Sequence, residues 1–226
     1  MSPESVADDK ASGAIVLAAR WLGTVPDELL YPPELREMRR LPAWKQRDWS
    51  ASRLTARAAI TVLTSGERSG PILPGSDGLP TADGVELSLS HSHSWVAAAV
   101  ARAGVAIGVD VQQPDEGIEP LIPRVSNQAE EPLASPIRHW CLKDAAFKAT
   151  RGEGTLRRYL VRDGDPATIA LLGTELVLSG WTRTIQRDGV DGEAVVAVAG
   201  PPSLIPRFIV AESTTVVSLL RTASRS

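Results

Sequence analysis

The alternation of apolar and polar positions divides the chain into strand-like and helix-like stretches. An apolar run over residues 13–22 predicts a first strand, although its alanines also permit a helix. Residues 32–40 and 43–63 predict two helices, the first opened by Pro32 with acids in its first turns. From residue 159 onward, short strand-like stretches separated by turn signals predict further strands. Because strands and helices mix without strict alternation, the pattern predicts an α+β fold.

The stretch 140–149, WCLKDAAFKA, predicts another helix because it contains no Gly, no Pro and no β-branched residue. Asp144 and Lys148 are four residues apart, so a carboxylate and an ammonium share one face of this helix. An ordinary surface ion pair on an amphipathic helix is the alternative for this spacing alone.

The apolar, β-branched run 105–112 predicts a buried strand with an acid near its end, Asp110. Gly108 leaves room for another backbone or a ligand to approach. Asp110 and Gln112 are two residues apart and therefore project from the same face of the strand. A buried carboxylate needs a cation, a metal or several hydrogen bonds, and oxygen ligands of this kind suit Mg²⁺. The alternative is a strand-end aspartate that caps the following turn.

In the stretch 87–97 the alternation places Ser88, Ser90 and Ser92 on one face of a strand. Their hydroxyls, together with His91, are candidates for holding a phosphate. A zinc pair formed by His91 and His93 is the less supported alternative because no third His or Cys is near. A hydrogen-bonded histidine in a turn is the ordinary interpretation of the pair.

In this order, the three segments resemble those of the 4′-phosphopantetheinyl transferases of the surfactin-synthetase and enterobactin type. That family shows S-x-S-H-S, then a G-[IV]-D-x-[E] strand, then a [WF]-x-x-K-E-[AS]-x-x-K-[AC] helix, which residues 88–92, 108–112 and 140–149 match here. The resemblance extends over about residues 31–160. It implies two similar α/β halves related by a pseudo-two-fold, residues 1–108 and 109–226, with the active site in the cleft between them.

The resemblance also implies an activity, a holo-[acyl-carrier-protein] synthase type of reaction. The enzyme would transfer the 4′-phosphopantetheine group of coenzyme A to a serine of an acyl or peptidyl carrier protein and release 3′,5′-ADP. Mg²⁺ would be held by Asp110, Asp144 and Gln112. Asp144 would act as the base, directly or through water, and Lys148 would balance the charge on the leaving group. Lys143 would contact a phosphate as well.

Coenzyme A would lie along a basic segment of the second predicted helix. Lys45, Arg47 and Arg53, with Trp49, match the segment that the family places at the 3′-phosphate and adenine. A solvated helix face is the alternative for such a stripe. The family's G-x-P turn at the adenine is matched by Gly78, Leu79 and Pro80, with Leu79 where many relatives carry a lysine. The remaining expected coenzyme A contacts are Ser90, His91, Asp110, Lys143 and Lys148.

Two positions depart from the family pattern. Asp144 stands where the family usually has Glu, so its carboxylate reaches the metal only if the helix sits close or a water bridges. Gln112 stands where Glu is frequent, which lowers the negative charge around the metal. These departures leave open a catalytically weak or inactive homologue that binds coenzyme A or a carrier protein. A metal hydrolase that uses His91, His93 and Asp110 is a second alternative.

Composition restricts the class of protein. The chain has 226 residues, 43% of them apolar and 23% charged, as in ordinary globular proteins. A net charge of −3 argues against nucleic-acid binding, and no apolar run approaches the length of a membrane span. A single cysteine fits a reducing cytoplasm, and the polar, acidic start of the chain is unlike a signal peptide. We therefore expect a cytoplasmic monomer.

Overall fold

A computed structural model describes residues 13–21, 23–67, 69–114, 117–130, 133–185 and 193–223 of the chain. The strands are β1 (Gly13–Arg20), β2 (Leu73–Pro74), β3 (Pro80–Thr81), β4 (Val85–Ser92), β5 (Trp95–Arg102), β6 (Gly108–Gln112), β7 (Tyr159–Arg162), β8 (Ala167–Leu171), β9 (Val177–Ile185), β10 (Ala194–Gly200) and β11 (Ile205–Glu212). The helices are α1 (Pro32–Arg39), α2 (Ala43–Leu63), α3 (Ile122–Val125), α4 (Pro136–Ala149) and α5 (Ser213–Ala223). None of the helices described is long and apolar enough to cross a lipid bilayer.

The strands form two larger sheets and one small ribbon. The first sheet has the order β11-β1-β5-β4, the second the order β6-β10-β9-β8-β7, and β2 pairs with β3. All pairs are antiparallel except β1 with β11, which run parallel. This mixture of helices and mainly antiparallel strands agrees with the predicted α+β class.

The two sheets are assembled in a similar way. In the first sheet, β1 precedes α2, and the chain then returns through β4 and β5, with β5 pairing against β1. In the second sheet, β6 precedes α4, and the chain later returns through β9 and β10, with β10 pairing against β6. Each long helix packs on its own sheet. The same order, a strand followed by a helix and then by a pair of antiparallel strands, therefore occurs twice.

The last two elements of the chain return to the first sheet. β11 lies parallel to β1 along its whole length, and α5 packs on α2. Both elements lie beyond residue 108 in the sequence and yet pack with elements of residues 13–63. This pairing joins segments nearly 200 residues apart, so local sequence patterns carry no signal for it.

The two sheets pack face to face, and α2 and α4 cover their outer faces. The first sheet contributes mainly alanines to the shared face, whereas the second contributes valines. These residues are Ala14, Ala18, Ala97, Ala99 and Ala101 on one side and Val109, Val111, Val196 and Val198 on the other. Small side chains on one face let the two backbones approach closely while the core remains filled.

Most of the predicted elements in the first half are confirmed. The strand from residue 13, the helix from Pro32 and the helix over 43–63 are all present. The predicted strand 105–112 is shorter than expected because it begins at Gly108. The Pro-rich stretch 113–136 contains the short helix α3, and residues 115–116 and 131–132 lie outside the described part.

Candidate active site

Serines of β4 join the two sheets. Ser88 Oγ accepts a hydrogen bond from the Val109 backbone N–H at 3.1 Å, and Ser92 Oγ accepts one from the Gln113 N–H at 3.2 Å. Both serines are buried on the face that meets β6. They therefore satisfy backbone donors at the free edge of β6, which would otherwise be buried without partners.

Ser90, between these two serines, holds an acid instead of a backbone group. Its hydroxyl donates a hydrogen bond of 2.6 Å to Asp110 Oδ1. The prediction that the three serines share one face is confirmed by their common burial and by their bonds to β6. The Ser90 hydroxyl therefore orients the Asp110 carboxylate.

Gly108 brings α4 close to β6. A Cβ atom placed on Gly108 would lie 1.9 Å from the Ala145 carbonyl oxygen and 2.5 Å from the Ala149 nitrogen. Only a residue without a side chain permits this approach of helix backbone to strand backbone. The helix therefore sits close to the strand, which is the condition that the short Asp144 side chain imposes.

The strand acid and the helix acid converge on one ammonium group. Lys148 Nζ lies 2.9 Å from Asp110 Oδ1 and 2.7 Å from Asp144 Oδ2. It also donates to the Val109 carbonyl oxygen at 3.1 Å. The two carboxylates thus share one region, as the sequence suggested, and Lys148 stands between them as the cation that joins them.

The surroundings of Asp110 shift the pKa of its carboxyl group. Burial raises its pKa to about 6, with Asp144 adding to the rise and Lys148 and the Ser90 hydrogen bond opposing it. Its second oxygen, Oδ2, is buried and accepts no hydrogen bond of ordinary geometry within the described part of the chain, although the Cys141 thiol interacts with this carboxyl group. Burial lowers the pKa of Lys148, but Asp110 and Asp144 outweigh that effect and raise the pKa above its usual value. A buried carboxylate oxygen without a partner is costly unless it binds a cation or another donor.

The residues present fit a magnesium ion. Asp110 Oδ2 has no N–H or O–H donor among the described residues, the Asp144 carboxylate contacts the same ammonium, and strand alternation places Gln112 on the face of Asp110. Among the described residues, no group of three or more His, Cys, Asp or Glu side chains could hold a metal by itself. Mg²⁺ commonly takes one or two protein carboxylates and completes its shell with water and substrate phosphates, so two acids and an amide suffice.

A cleft of about 670 Å³ adjoins this group of charged residues. Its walls come from the first sheet, from the segment between β5 and β6, and from the end of α4. Leu79, Pro80 and Lys148, all predicted site residues, line it. A volume of this size is ordinary for a pocket that holds a small-molecule ligand.

The basic residues of α2 divide into exposed and buried ones. Lys45 is exposed, and its ammonium lies 4.9 Å from the Trp44 ring. Arg53 is buried and stacks on Trp49 at 3.9 Å, and burial lowers its pKa to about 10 although Glu34 raises it. The alternative of a solvated face therefore fits Lys45 but not Arg53.

Arg47, the third predicted cation, is bound to protein groups near the β4–β5 turn. Its Nη2 lies 2.7 Å from Asp48 Oδ1 and donates to the His93 carbonyl oxygen at 2.8 Å. His91 Nδ1 lies 3.9 Å from the other oxygen of Asp48. Arg47 and His91 are thus gathered around one acid, while neither Lys45, Arg47, Arg53 nor His91 is among the residues that line the cleft.

Comparison with known proteins bears on this arrangement. The chain is 34% identical over 138 residues to the 4′-phosphopantetheinyl transferase Svp of Streptomyces mobaraensis. The resemblance to the 4′-phosphopantetheinyl transferases is confirmed. The match covers 55% of this chain and 55% of the relative, so the chain spans about half the length of the curated relative it matches. No family model matches the chain.

Lys143, the first lysine of the phosphopantetheinyl transferase helix motif, does not face the cleft. Its side chain is fully buried, and its Nζ lies 2.7 Å from Glu130 Oε2. The same Nζ donates to the carbonyl oxygens of Leu156 and Tyr159. Protein acceptors enclose the ammonium, so this structure gives no support to the predicted phosphate contact of Lys143.

Glu130 is the residue that sequence reasoning missed. It accepts hydrogen bonds from the backbone N–H groups of Val161 at 2.6 Å and Asn127 at 3.1 Å. Burial alone would raise its pKa, but hydrogen bonds from His139, Lys143 and these two N–H groups lower it to about 2. A glutamate in a polar, Pro-rich stretch carries no local signal of burial, so only the tertiary structure reveals this role.

The histidines do not support a zinc or hydrolase site. His93 adopts a left-handed conformation (φ 51°) in the two-residue turn between β4 and β5. His91 is exposed and alternates along β4 with Ser90, the serine that contacts Asp110. The described residues contain no cluster of metal-ligating side chains around either ring. The interpretation of a histidine in a turn fits His93.

Proposed function

We propose that this chain transfers the 4′-phosphopantetheine group of coenzyme A to a serine of an acyl or peptidyl carrier protein. One observation carries the proposal: Asp110 and Asp144 meet at Lys148 beside a cleft, and the described residues give one buried Asp110 oxygen no N–H or O–H donor. The relative of known activity supports the same reaction class. The activity, the substrates and the carrier partner are proposals for this chain.

Coenzyme A binds in this proposal in the cleft between the first sheet and the end of α4. Leu79 and Pro80 form part of one wall, and their turn, which begins at Gly78, receives the adenine, as expected from the resemblance. Lys45, Arg47 and Arg53 of α2 contact the 3′-phosphate end. His91, beside Arg47 and Asp48, extends this basic surface along β4. The repeated strand–helix–strand pair order supports two halves related by a pseudo-two-fold, with the cleft between them.

Asp110, Asp144 and Gln112 would hold Mg²⁺. When bound, the ion supplies positive charge that neutralises the diphosphate of coenzyme A and orients it. Ser90 keeps one Asp110 oxygen fixed by its 2.6 Å hydrogen bond, and the other oxygen would be the one available to the ion. The position of the acids is fixed in turn by the close packing of α4 on Gly108.

The transfer step requires a base and a group that stabilises the departing charge. The carrier serine loses its proton to Asp144 while its oxygen forms a bond to the phosphorus that bears the pantetheine arm. The bond from that phosphorus to the bridging oxygen breaks, and 3′,5′-ADP leaves with the electron pair. Lys148, already between two carboxylates, offers its ammonium to the leaving phosphate.

Intact-mass measurement tests the proposal. The chain is incubated with coenzyme A, Mg²⁺ and an apo carrier protein, and the carrier is expected to gain the mass of one phosphopantetheine. Asp110→Asn is expected to slow the transfer about a hundredfold or more, because it removes the charge that holds the cation. Asp27→Asn, which changes an exposed carboxylate paired with Arg39, is the matched control.

The alternative of a homologue that only binds has a distinct outcome in the same experiment. The substitutions of the family's usual Glu by Asp144 and Gln112 favour this alternative. Binding of coenzyme A without any mass gain across a panel of apo carrier proteins would support the binding homologue and contradict the transferase.

A further inference from the structure

Arg151 lines the cleft and pairs with two acids. It follows the last turn of α4, and its guanidinium lies 3.4 Å from Asp77 Oδ2 and 3.2 Å from Glu86 Oε2. Arg151 belongs to the C-terminal half of the site, whereas the two acids belong to the N-terminal half. Arg151 and Glu86 both line the cleft. The arginine thus joins the end of α4 to the wall that carries Glu86.

The charges that line the cleft are few. They belong to Glu86, Lys148 and Arg151. Lys148 is already shared between Asp110 and Asp144. Arg151 is therefore the lining cation that the acids of the catalytic group do not hold, and an anionic ligand in this cleft meets it.

The acids hold Arg151 loosely. Its two nitrogens contact two different carboxylates, at distances longer than the 2.7–2.9 Å typical of strong charged hydrogen bonds. The side chains are 62% exposed for Arg151 and 45% for Asp77. Exposed ion pairs of this kind contribute little to stability, whereas a guanidinium binds a phosphate with two parallel N–H groups. An exchange of partner is therefore favourable when a phosphate arrives.

The backbone fixes the root of this side chain. Arg151 has φ 54°, in the left-handed region that favours glycine, and its N–H donates to the Lys148 carbonyl oxygen at 3.0 Å. The next residue, Gly152, donates to the Phe147 carbonyl oxygen at 2.8 Å. The helix end thus holds Arg151 at a fixed position relative to Lys148. A bulky residue in this strained conformation points to a use for the side chain.

We propose that Arg151 is a phosphate-binding residue for coenzyme A, which exchanges Asp77 and Glu86 for a phosphate oxygen when the ligand enters the cleft. The inference rests on the proposed function, because it takes coenzyme A as the ligand. Asp77 and Glu86 then compete with the ligand for the guanidinium. Removal of the arginine and removal of its two acids should therefore have opposite effects on affinity.

Calorimetric titration of the full chain with coenzyme A tests whether the two changes have opposite effects on the Kd. Arg151→Gln is expected to raise the Kd about tenfold, the effect of losing one charged contact. Glutamine keeps a comparable backbone cost at the left-handed position, so the change isolates the charge. The double substitution Asp77→Asn with Glu86→Gln is expected to leave the Kd unchanged or lower it.

Arg39→Gln is the matched control because Arg39 forms a similarly exposed pair, at 3.2 Å, with Asp27 away from the cleft. It should leave the Kd unchanged, and thermal unfolding of every variant checks that the fold is retained. The inference is overturned if Arg151→Gln binds coenzyme A as the unmodified chain does. It is also overturned if the arginine variant and the double acid variant weaken binding alike, since both then only break a structural link. Absence of coenzyme A binding by the unmodified chain contradicts the proposed function instead.

Discussion

Two lysines of α4 sit among carboxylates in contrasting ways. Lys143 is fully buried against Glu130, and backbone groups of the surrounding segments form further hydrogen bonds with this pair. Lys148 is partly exposed and shared by Asp110 and Asp144 beside the cleft. The same residue type, five positions along one helix, thus takes part in two different kinds of charged cluster.

The pKa values of Glu130 and Asp110 are shifted in opposite directions in the two clusters. Hydrogen bonds outweigh burial at Glu130 and lower its pKa to about 2, whereas burial dominates at Asp110 and raises its pKa to about 6. Glu130 accepts hydrogen bonds from four partners, while the described residues give Asp110 Oδ2 no N–H or O–H donor. A satisfied cluster stabilises the fold, and an incomplete one leaves binding capacity for a ligand. We assign the first to structure and the second to function.

The largest expected effect concerns stability at Lys143. Lys143→Met leaves Glu130 buried without its cation, and breaking a buried pair in this way costs about 3–5 kcal/mol. Lys148→Met should cost less than half as much, because the Lys148 side chain is 29% exposed and that of Lys143 is not exposed. Urea denaturation of both variants measures the difference. Equal losses would remove the distinction between the two clusters.

The order of the two variants should reverse when the rate of transfer is measured instead of stability. Lys148→Met is expected to lower the rate of carrier modification by about a hundredfold to a thousandfold, as when one charge-stabilising donor is removed from an active site. Lys143→Met, measured at a temperature where it is folded, should retain a rate within a few-fold of the unmodified chain. A Lys143 variant that is folded but inactive would show that its cluster also serves the reaction.

The third expected effect is acid sensitivity. The folded pKa of Glu130, about 2, lies below its ordinary value of 4.5, so its contribution is complete above pH 4.5 and is lost as the pH falls toward 2. The loss is about 3 kcal/mol over that window. Denaturation at a series of pH values should therefore show a shallower decline in Glu130→Gln than in the unmodified chain. Identical slopes would mean that Glu130 is not the acid responsible.

The sequence predicts the functional cluster better than the structural one, for physical reasons. Asp144 and Lys148 are four residues apart on a helix, and Asp110 lies near the end of a β-branched run. Local periodicity therefore identifies all three residues. Glu130 reaches Lys143 from an irregular segment with no periodic pattern, and the pairing of β11 with β1 joins distant parts of the chain. Periodicity reports local geometry, whereas these contacts depend on how the elements pack.

The smallest expected effect concerns the neutral residue of the incomplete cluster. Gln112 adds no charge near Asp110, so we expect Mg²⁺ to bind more weakly than in relatives with a glutamate there. Gln112→Glu should lower the half-saturating Mg²⁺ concentration several-fold, a gain of about 1 kcal/mol after repulsion from the existing acids is subtracted. Calorimetric titration with Mg²⁺ in the presence of coenzyme A, alongside the activity titration, measures it. Gln128→Glu, which adds the same charge at an exposed position, is the control. Saturation of the unmodified chain at low micromolar Mg²⁺ would contradict the expectation, because a cluster with only two carboxylates would then already be sufficient.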